Sequence, residues 1–321
     1  MNITVIGCGR WGSLITWYLD SIGHTVTLCG RAGSERMQRF LRERCNDLLE
    51  LPPSVALSTD MEASLQTAET VILSVSSQAL RQLCGELAQY KPAGKTFVLC
   101  MKGLEVETGQ RLSEIAGERL GAENAIAVWL GPGHVQEFYR GIPNCMVIDS
   151  EKEEVKAKLV EAFSGDLIRF YYGEDMIGNE VGAAAKNVIG IAAGMLDGMG
   201  LSAIKGALMS RGTREIARLI MAMGGNELSA YGLCHLGDYE ATVFSPYSQN
   251  RQFGEAFIRG EAYSKLAEGF YTVKALMKLQ EQYRVELPIC SGVYGILYEG
   301  RDPQQVMNAL FTRSLTNEFY H

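Results

Sequence analysis

Two lysines are the first candidates for chemistry in this sequence. Lys186 lies in a helix-like segment whose residues from Gly182 to Gly190 are mostly small or apolar. An apolar setting lowers the pKa of a lysine, which can then exchange a proton near neutral pH. The same pattern suits a lysine whose alkyl chain packs along a helix while its ammonium group reaches water. The residues alone leave both interpretations open.

Lys102 directly follows Phe97–Met101, a short apolar run that predicts a strand. Ligands of parallel sheets bind beyond the carboxyl ends of the strands, so Lys102 is placed to orient a substrate oxygen by a charge-assisted hydrogen bond. Asp238 could hold Lys186 charged and oriented, or accept a hydrogen bond from a substrate hydroxyl. The competing interpretations are that Lys102 is an ordinary loop lysine and that Asp238 forms a turn after Gly237.

A glycine-rich segment near the N-terminus predicts a dinucleotide site. Residues 7–12 read Gly-Cys-Gly-Arg-Trp-Gly, between a strand-like run and a helical pattern. The three glycines permit a tight turn, close approach of a pyrophosphate and close helix–strand packing, and the helix N-terminus favours phosphate. A glycine-rich turn without a ligand is the alternative. The cofactor-binding residues predicted in this segment are Gly7, Gly9, Arg10, Trp11 and Gly12.

The end of the second predicted strand bears on which dinucleotide is bound. Sites that prefer NAD usually carry Asp or Glu there for the ribose hydroxyls, whereas this strand ends Cys29-Gly30-Arg31. Arg31 could receive the 2′-phosphate of NADP, or it could be a solvated loop cation. We therefore expect NAD or NADP as the cofactor, with NADP accepted.

Short apolar runs alternate with helical patterns through the first half of the chain. Alternation of this kind is typical of a parallel sheet covered by helices on both faces. The predicted strands are Ile3–Ile6, Val26–Cys29, Val71–Val75, Phe97–Met101, Ile126–Leu130, Cys145–Ile148 and Ile168–Tyr172, and the helices between them include Ser34–Cys45, Gln78–Leu87 and Thr108–Leu120.

The pattern changes near residue 172, after which long helical patterns replace the strands. These are Asp175–Leu196, Ala203–Met223, Gln252–Arg259, Tyr271–Tyr283 and Pro303–Thr312. The predicted class is α/β and then mostly α, with a Rossmann-type dinucleotide-binding domain over residues 1–173 and an α-helical catalytic and substrate domain over residues 174–321. No low-complexity linker separates the halves, so we expect them to pack directly on each other.

Composition narrows the class of partner. The net charge of −7 comes without a basic block, which argues against nucleic acid. No apolar stretch approaches the ~20 residues that span a bilayer, and no signal peptide is recognisable, so we expect a cytoplasmic protein without a membrane partner. The eight cysteines form no C-x-x-C pair, and several lie in apolar runs, which favours a reducing compartment and no metal site. A small-molecule substrate is expected, and a homodimer is left open.

Further segments, taken in order, resemble the NAD(P)-dependent glycerol-3-phosphate dehydrogenase family over nearly the whole chain. The similar segments are Gly7–Gly12 with its Trp11, Lys102-Gly103-Leu104-Glu105, Gly131-Pro132-Gly133-His134-Val135-Gln136-Glu137, Ala184-Ala185-Lys186-Asn187-Val188, Ser210-Arg211-Gly212, Leu236-Gly237-Asp238 with Thr242, Ser248-Gln249-Asn250-Arg251 and Glu268-Gly269. Each segment alone is weak evidence of the resemblance, but the ordered set is specific to the family.

The resemblance implies hydride transfer between NAD(P)H and dihydroxyacetone phosphate, which gives sn-glycerol 3-phosphate for phospholipid synthesis. It also implies a helical domain like that of 6-phosphogluconate dehydrogenase. The implied catalytic residues are Lys186 as the acid, Lys102, Asp238 and Thr242. The implied substrate contacts are Lys102, Gly131, Asn187, Asp238, Ser248, Gln249 and Asn250. The cofactor contacts are those of the glycine-rich segment together with Arg31, Lys102, Val135, Gln249 and Glu268.

This sequence departs from the family pattern at four places. The arginine that helps to bind the substrate phosphate is Gln249 here, with Arg251 nearby as a candidate substitute. Gly133 replaces a Ser or Thr, Val135 replaces an Ala, and Ser202-Ala203 replaces an Asp-Asn pair before Lys205. Two alternatives therefore stay open: a related dehydrogenase with another small hydroxy or keto substrate, and a catalytically weak nucleotide-binding homologue. Retention of Lys102, Lys186, Asp238 and Thr242 argues against the second.

Overall fold

Eight strands form one sheet in the first half of the chain. The protein is described by a computed structural model over residues 1–314, 317 and 318, so the end of the predicted second domain lies outside the described residues. The strands are β1 Asn2–Ile6, β2 Thr25–Cys29, β3 Ala56–Ser58, β4 Thr70–Leu73, β5 Thr96–Leu99, β6 Ala125–Leu130, β7 Asn144–Asp149 and β8 Ile168–Tyr172. Their order is β3-β2-β1-β4-β5-β6-β7-β8.

The sheet is parallel from β3 to β6 and changes direction at one end. β7 pairs antiparallel with β6, and β8 runs parallel to β7. The expected parallel sheet is confirmed over six strands, and the reversal at β7 is a detail that an apolar run does not encode, because it carries no information on the direction of its strand. The six parallel strands bring their carboxyl ends to one edge of the sheet, where ligands of this fold bind.

Thirteen α-helices lie within the described residues. Those of the first half are α1 Arg10–Ser21, α2 Glu35–Glu43, α3 Met61–Thr67, α4 Leu80–Ala88, α5 Leu112–Leu120, α6 Val135–Tyr139 and α7 Glu153–Phe163. Apolar side chains of α1 and α7 pack on one face of the sheet, and those of α4 and α5 pack on the other. This two-sided burial explains why the strands are nearly continuous apolar runs.

The second half is helical. Its helices are α8 Met176–Gly198, α9 Lys205–Ala222, α10 Gln249–Arg259, α11 Glu268–Tyr283, α12 Pro288–Glu299 and α13 Pro303–Phe311. α8 is apolar on all sides and buried along most of its length, as expected for a helix at the centre of a domain. α10 lies directly against it, because a Cβ on Gly194 would be 1.9 Å from the Arg251 carbonyl oxygen.

The two halves pack on each other without a linker. β8 ends at Tyr172 and α8 begins at Met176. Arg111, at the start of α5, donates to Glu180 of α8 at 2.7 Å, and both side chains are buried. Among the residues described, no helix is both long and apolar enough to cross a bilayer.

Candidate active site

The predicted site residues of the first half meet at the carboxyl edge of the sheet. The glycine turn follows β1, Arg31 follows β2, Lys102 follows β5 and Gly131 follows β6. Since these four strands are parallel, one edge carries all four segments. The sequence-based placement of Lys102 beyond a strand end is therefore correct.

The turn between β1 and α1 has the shape that a dinucleotide needs. Gly7 has φ of 119°, and a Cβ there would lie 2.1 Å from the Ser74 carbonyl oxygen. A Cβ on Gly12 would lie 1.9 Å from the Gly7 carbonyl oxygen, so neither position accepts a side chain. Gly9 precedes α1, and no side chain caps the free N–H groups of the first turn, which begins with Arg10. These groups suit a pyrophosphate.

Trp11 packs its side chain toward the protein interior, beside the buried Cys8 of the same segment. Its ring packs 6.0 Å from that of Phe138 in α6, so it ties the turn to the segment after β6. Its Nε1 is buried and has no hydrogen-bond partner within the described residues. Trp11 therefore shapes the turn, while the backbone of the turn offers the hydrogen bonds.

Cationic and acidic groups flank the turn. Arg31 is exposed just after β2, and Arg36 reaches back toward the turn, with its Nη1 3.9 Å from where a Cβ of Gly9 would lie. Glu268, at the start of α11, is half-buried and accepts a 2.5 Å hydrogen bond from Ser77. Burial raises the pKa of Glu268, and the hydrogen bonds from Ser77 oppose that effect. Glu268 thus reaches the sheet edge from the helical half.

Two lysines share one carboxylate oxygen where the halves meet. Asp238 Oδ2 lies 2.7 Å from the Nζ of Lys102 and 3.0 Å from the Nζ of Lys186. Lys102 also donates to the Gly131 carbonyl oxygen at 2.5 Å. Asp238 is almost completely buried, at 1% exposure, so water screens this pair of contacts very little. Asp238 therefore contacts Lys186, the arrangement expected of a carboxylate that holds the lysine charged.

The ammonium group of Lys186 is held by hydrogen bonds in a buried setting. Its Nζ donates to the Thr242 hydroxyl at 2.7 Å, and that hydroxyl donates to the Asp238 carbonyl oxygen at 2.7 Å. Burial lowers the pKa of Lys186 to about 8; the Asp238 carboxylate raises it and the Lys102 ammonium lowers it further. The alternative of a lysine reaching into water is wrong, because the ammonium is buried among these partners.

Two buried polar atoms near the lysines have no hydrogen-bond partner in the described part of the chain. They are Asp238 Oδ1 and His134 Nε2. Buried atoms of this kind are rare and are commonly satisfied by a ligand or an ordered water. Burial and the nearby Lys186 ammonium lower the pKa of His134 to about 4, so its imidazole is neutral. The sequence reasoning did not select His134, although its place two residues after the Gly-Pro that follows β6 was a usable signal.

His235 supports the loop that carries Asp238 and Thr242. Its Nδ1 lies 2.8 Å from the Gly182 carbonyl oxygen and its Nε2 lies 2.8 Å from the Tyr239 hydroxyl. The carbonyl can only accept, so Nδ1 carries the proton and Nε2 accepts from Tyr239. Burial lowers the pKa of His235 to about 4, which keeps this arrangement neutral. A lone histidine has no spacing signal, and sequence reasoning missed it.

A chain of amides links the two halves beside the lysines. Asn187 donates to the Lys102 carbonyl oxygen at 2.9 Å and accepts from Asn250 at 3.0 Å. Asn250 in turn accepts from the backbone N–H of Gly269 at 2.9 Å. The sequence predicts Asn187 and Asn250 as substrate contacts; what the structure shows is that their amides link Lys102 to α8, α10 and α11.

The start of α10 carries the main departure from the family pattern. Ser248 caps the helix by accepting from the Arg251 N–H at 3.3 Å. Gln249 accepts at 2.8 Å from the Tyr263 hydroxyl. Arg251 is bound to Asp197 at 2.5 Å and to Glu255 at 3.3 Å. The structure gives no support to Arg251 as a substitute for the missing cation, because its Nη1 is already paired inside the helical half.

The segment after β6 explains a second departure. Gly133 has φ of 137°, and a Cβ there would lie 2.2 Å from the ring of Phe138, so this backbone excludes a Ser or Thr. Val135 is the first residue of α6, and its side chain is buried in the core of the first half. Only its backbone is therefore available at the sheet edge. The ring of His134 lies 5.6 Å from that of Tyr247, against the loop before α10.

A lysine poised to move a proton, next to a turn that accepts a dinucleotide, places this chain among dinucleotide-dependent oxidoreductases. Two family models match it: the NAD-dependent glycerol-3-phosphate dehydrogenase N-terminus over residues 2–156 and the C-terminus over residues 175–308. The chain belongs to this family.

Individual relatives agree over the full length. A glycerol-3-phosphate dehydrogenase [NAD(P)+] of Thermoanaerobacter sp. (strain X514) is 32% identical over 100% of this chain and 99% of the relative. One of Thermotoga sp. (strain RQ2) is 34% identical over 100% of this chain and 99% of the relative. The crystal structure of a glycerol-3-phosphate dehydrogenase from Coxiella burnetii has a TM-score of 0.91 and 29% identity, over 97% of this chain and 98% of that chain.

Proposed function

We propose that this chain catalyses reversible hydride transfer between NAD(P)H and dihydroxyacetone phosphate, which gives sn-glycerol 3-phosphate. The observation that carries the proposal is the buried Lys186–Asp238–Lys102 cluster, which lies at the sheet edge that also carries the glycine turn. The family and the full-length relatives support the same substrate pair.

The chemistry divides between the cofactor and the protein. When bound, NAD(P)H supplies the hydride that reaches the carbonyl carbon. Lys186 gives its proton to the carbonyl oxygen, which becomes the new hydroxyl; in the reverse direction neutral Lys186 takes that proton back. Lys102 lies next to the same oxygen and stabilises the negative charge that develops there. Asp238 keeps both ammonium groups in place, and Thr242 orients Lys186.

The remaining polar groups of the helical half hold the substrate. Asn187 and Asn250 fix Lys102 and offer their remaining hydrogen-bonding capacity to the glycerol backbone. The Gly131 carbonyl oxygen acts indirectly, because it accepts a hydrogen bond from Lys102. Ser248 has a free hydroxyl proton, since the hydroxyl only accepts in the cap. Together with Gln249 these groups form the substrate side of the cleft.

The glycine turn holds the cofactor pyrophosphate through backbone N–H groups of Arg10 to Gly12. Arg31, exposed after β2, pairs with the 2′-phosphate of NADP, while the absence of an acid at that strand end still admits NAD. Glu268 and the backbone at Val135 are the remaining proposed cofactor contacts, and Glu268 Oε2 lies 3.6 Å from where a Cβ of Gly103 would be. NAD and NADP are therefore both cofactors of the proposed reaction.

An assay of NADPH oxidation with dihydroxyacetone phosphate and with unphosphorylated dihydroxyacetone tests the proposal. We expect turnover with the phosphate ester and at least about tenfold lower kcat/KM without the phosphate, since one charged hydrogen bond contributes about 1.5–3 kcal/mol. Equal turnover of both ketones, or none of either, would refute the substrate. The alternatives of a different keto substrate and of a catalytically weak homologue are not favoured by the full-length relatives.

Four further expectations belong to the same proposal. The division into domains falls at residues 173 and 174, supported by the end of β8 and the start of α8. A cytoplasmic location is supported by eight cysteines that are all free thiols. A homodimer of this chain is proposed as its assembly, and the product feeds phospholipid synthesis.

A further inference from the structure

The second glycine of the turn between β1 and α1 leaves room for a pyrophosphate to approach the backbone. Apart from its chain neighbours, a Cβ added at Gly9 would meet one atom within 4 Å among the described residues, the Nη1 of Arg36 at 3.9 Å. Arg36 lies in the first turn of α2, which begins at Glu35. Its guanidinium is therefore beside the space that the missing side chain of Gly9 leaves for the cofactor.

Two contacts hold the start of α2 against the glycine turn. Ser34 caps α2 by accepting from the Met37 N–H at 3.4 Å, and its hydroxyl lies 3.7 Å from the Cys8 thiol, inside the turn. The Met37 side chain is buried at the end of β2, where a Cβ on Gly30 would lie 2.9 Å from its sulfur. Arg36 lies between these two anchors in the sequence, so its backbone is fixed beside the turn.

The Arg36 guanidinium is available to a ligand. Its side chain is exposed, and within the part of the chain that the structure describes it makes no hydrogen bond or ion pair. By contrast, Arg39 in the next turn of α2 is bound to Glu43 at 3.1 Å and to Asp47 at 2.5 Å. An unpaired arginine next to the free N–H groups of a helix start adds a full positive charge where an anion is already favoured.

We propose that the Arg36 guanidinium binds the cofactor pyrophosphate, together with the backbone N–H groups of the turn. The proposal rests on the proposed function only through its cofactor, because it names the cation that meets the two phosphate groups. Arginine suits this task, since its planar fork gives two parallel hydrogen bonds to phosphate. NAD and NADP carry the same pyrophosphate, so Arg36 serves both cofactors equally.

This role differs from the one proposed for Arg31. Arg31 follows the end of β2, where the ribose of a bound dinucleotide lies, and its proposed partner is the 2′-phosphate that only NADP carries. Arg36 lies beside Gly9, at the phosphates that both cofactors share. One arginine then sets the affinity for both dinucleotides, and the other sets the preference between them.

Arg36→Gln tests the proposal directly. We expect the Kd values of NADH and NADPH, from quenching of tryptophan fluorescence, to rise by the same factor, about tenfold to a hundredfold, the size of one charged hydrogen bond. Arg42→Gln removes another exposed arginine of α2 and is the matched control, which should leave both Kd values unchanged. A loss for NADPH alone would assign Arg36 to the 2′-phosphate, and no loss for either cofactor would leave it a surface cation. Both results refute the proposal.

Fragments of the cofactor locate the contact. ADP-ribose carries the pyrophosphate without the nicotinamide, and adenosine 2′-monophosphate carries a 2′-phosphate without the pyrophosphate. In calorimetric titrations, Arg36→Gln should weaken ADP-ribose by about the same factor as NADH and leave adenosine 2′-monophosphate unchanged. Equal losses for the two fragments, or a loss for adenosine 2′-monophosphate alone, would contradict a contact with the pyrophosphate.

These titrations contain no ketone substrate, so the proposal and the proposed function can fail separately. A chain that binds both cofactors through Arg36 but does not reduce dihydroxyacetone phosphate keeps the pyrophosphate contact and refutes the reaction. An active enzyme whose Arg36→Gln variant binds both cofactors as tightly as the natural chain keeps the reaction and refutes the pyrophosphate contact.

Discussion

The pKa of Lys186, the proposed proton donor, depends on its burial and on two charged neighbours from other segments, Asp238 and Lys102. Burial pulls the pKa of Lys186 down to about 8, Asp238 opposes that shift and Lys102 adds to it. A lysine at its ordinary pKa would hold its proton too tightly to exchange it near neutral pH. The cluster therefore needs both partners: Asp238 to keep the buried ammonium stable, and Lys102 to keep its proton available.

Lys186→Met should lower turnover by about two to four orders of magnitude, the usual contribution of a positioned acid or base. The glycine turn is untouched, so the Kd for NADPH should stay the same. Steady-state rates and a fluorescence titration measure the two quantities. Lys158→Met, at an exposed lysine of α7, is the control. Near-normal turnover in Lys186→Met would show that another group moves the proton.

Arg31→Ala should weaken NADPH more than NADH. Only NADPH offers a phosphate at this position, and one charge-assisted contact contributes about 1.5–3 kcal/mol, or about tenfold to 150-fold in Kd. The Kd for each reduced cofactor, measured by fluorescence titration, gives the comparison. Equal losses for both cofactors would mean that Arg31 does not contact the 2′-phosphate.

Part of the site could be predicted from the sequence, and the rest could not, for a physical reason. Lys102, Lys186, Asp238 and Thr242 could be selected because they recur in an ordered set of segments, and the structure brings all four together. His235 and Tyr263 act through contacts that form only in the folded chain, with Gly182 and Gln249 respectively. No local pattern marks such residues, so the sequence could not show what they touch.

At the scale of elements, Asp197 joins three helices. It ends α8 and accepts from Lys205 of α9 at 2.6 Å and from Arg251 of α10 at 2.5 Å. Burial raises the pKa of Asp197, but these hydrogen bonds and one from Ser202 hold it below its usual range. This junction positions α10, whose first turn carries Gln249 and Asn250.

Asp197→Asn should destabilise the protein by about 3–5 kcal/mol, because two largely buried cations lose their shared partner. KM for the ketone substrate should rise as α10 shifts. Chemical unfolding and steady-state kinetics measure the two effects. Glu261→Gln, which removes an exposed carboxylate just after α10, is the control. If the unfolding midpoint of Asp197→Asn equals that of the natural chain, this junction does not stabilise the protein.

The strength of the apolar signal decided which elements the sequence could predict. Buried strands such as β1 and β5 are continuous apolar runs and were found to within two residues. β3 has three residues, none of them buried, and was not predicted. The antiparallel direction of β7 depends on its partner β6, which no run of side chains specifies.

At the scale of the whole molecule, the cleft exists because the halves are fixed to each other. Glu180 of α8 accepts from Arg111 at 2.7 Å and from the Ser113 N–H at 2.9 Å, all inside the contact between the halves. Burial raises the pKa of Glu180, and Arg111 opposes that effect. This pair orients α8, and with it Lys186, relative to the sheet edge.

Arg111→Met should cost about 3–5 kcal/mol of unfolding free energy, because Glu180 stays buried without its cation. Urea unfolding followed by circular dichroism measures the loss. Arg119→Met, at an exposed arginine on the same helix, should change stability by less than about 0.5 kcal/mol. If the two variants unfold alike, this contact does not hold the halves together.

The pH dependence of kcat/KM in both directions tests the central claim about Lys186. Reduction needs the protonated lysine, so kcat/KM for dihydroxyacetone phosphate should be full below its pKa and fall through about pH 8. Oxidation of glycerol 3-phosphate needs the neutral lysine, so its kcat/KM should rise through the same pH. Substrate phosphate titrates near pH ~6, well below this window. Profiles that cross at about pH 8 would match the account, and profiles flat in both directions from pH ~7 to ~9.5, a window that brackets the titration of such a lysine, would contradict it.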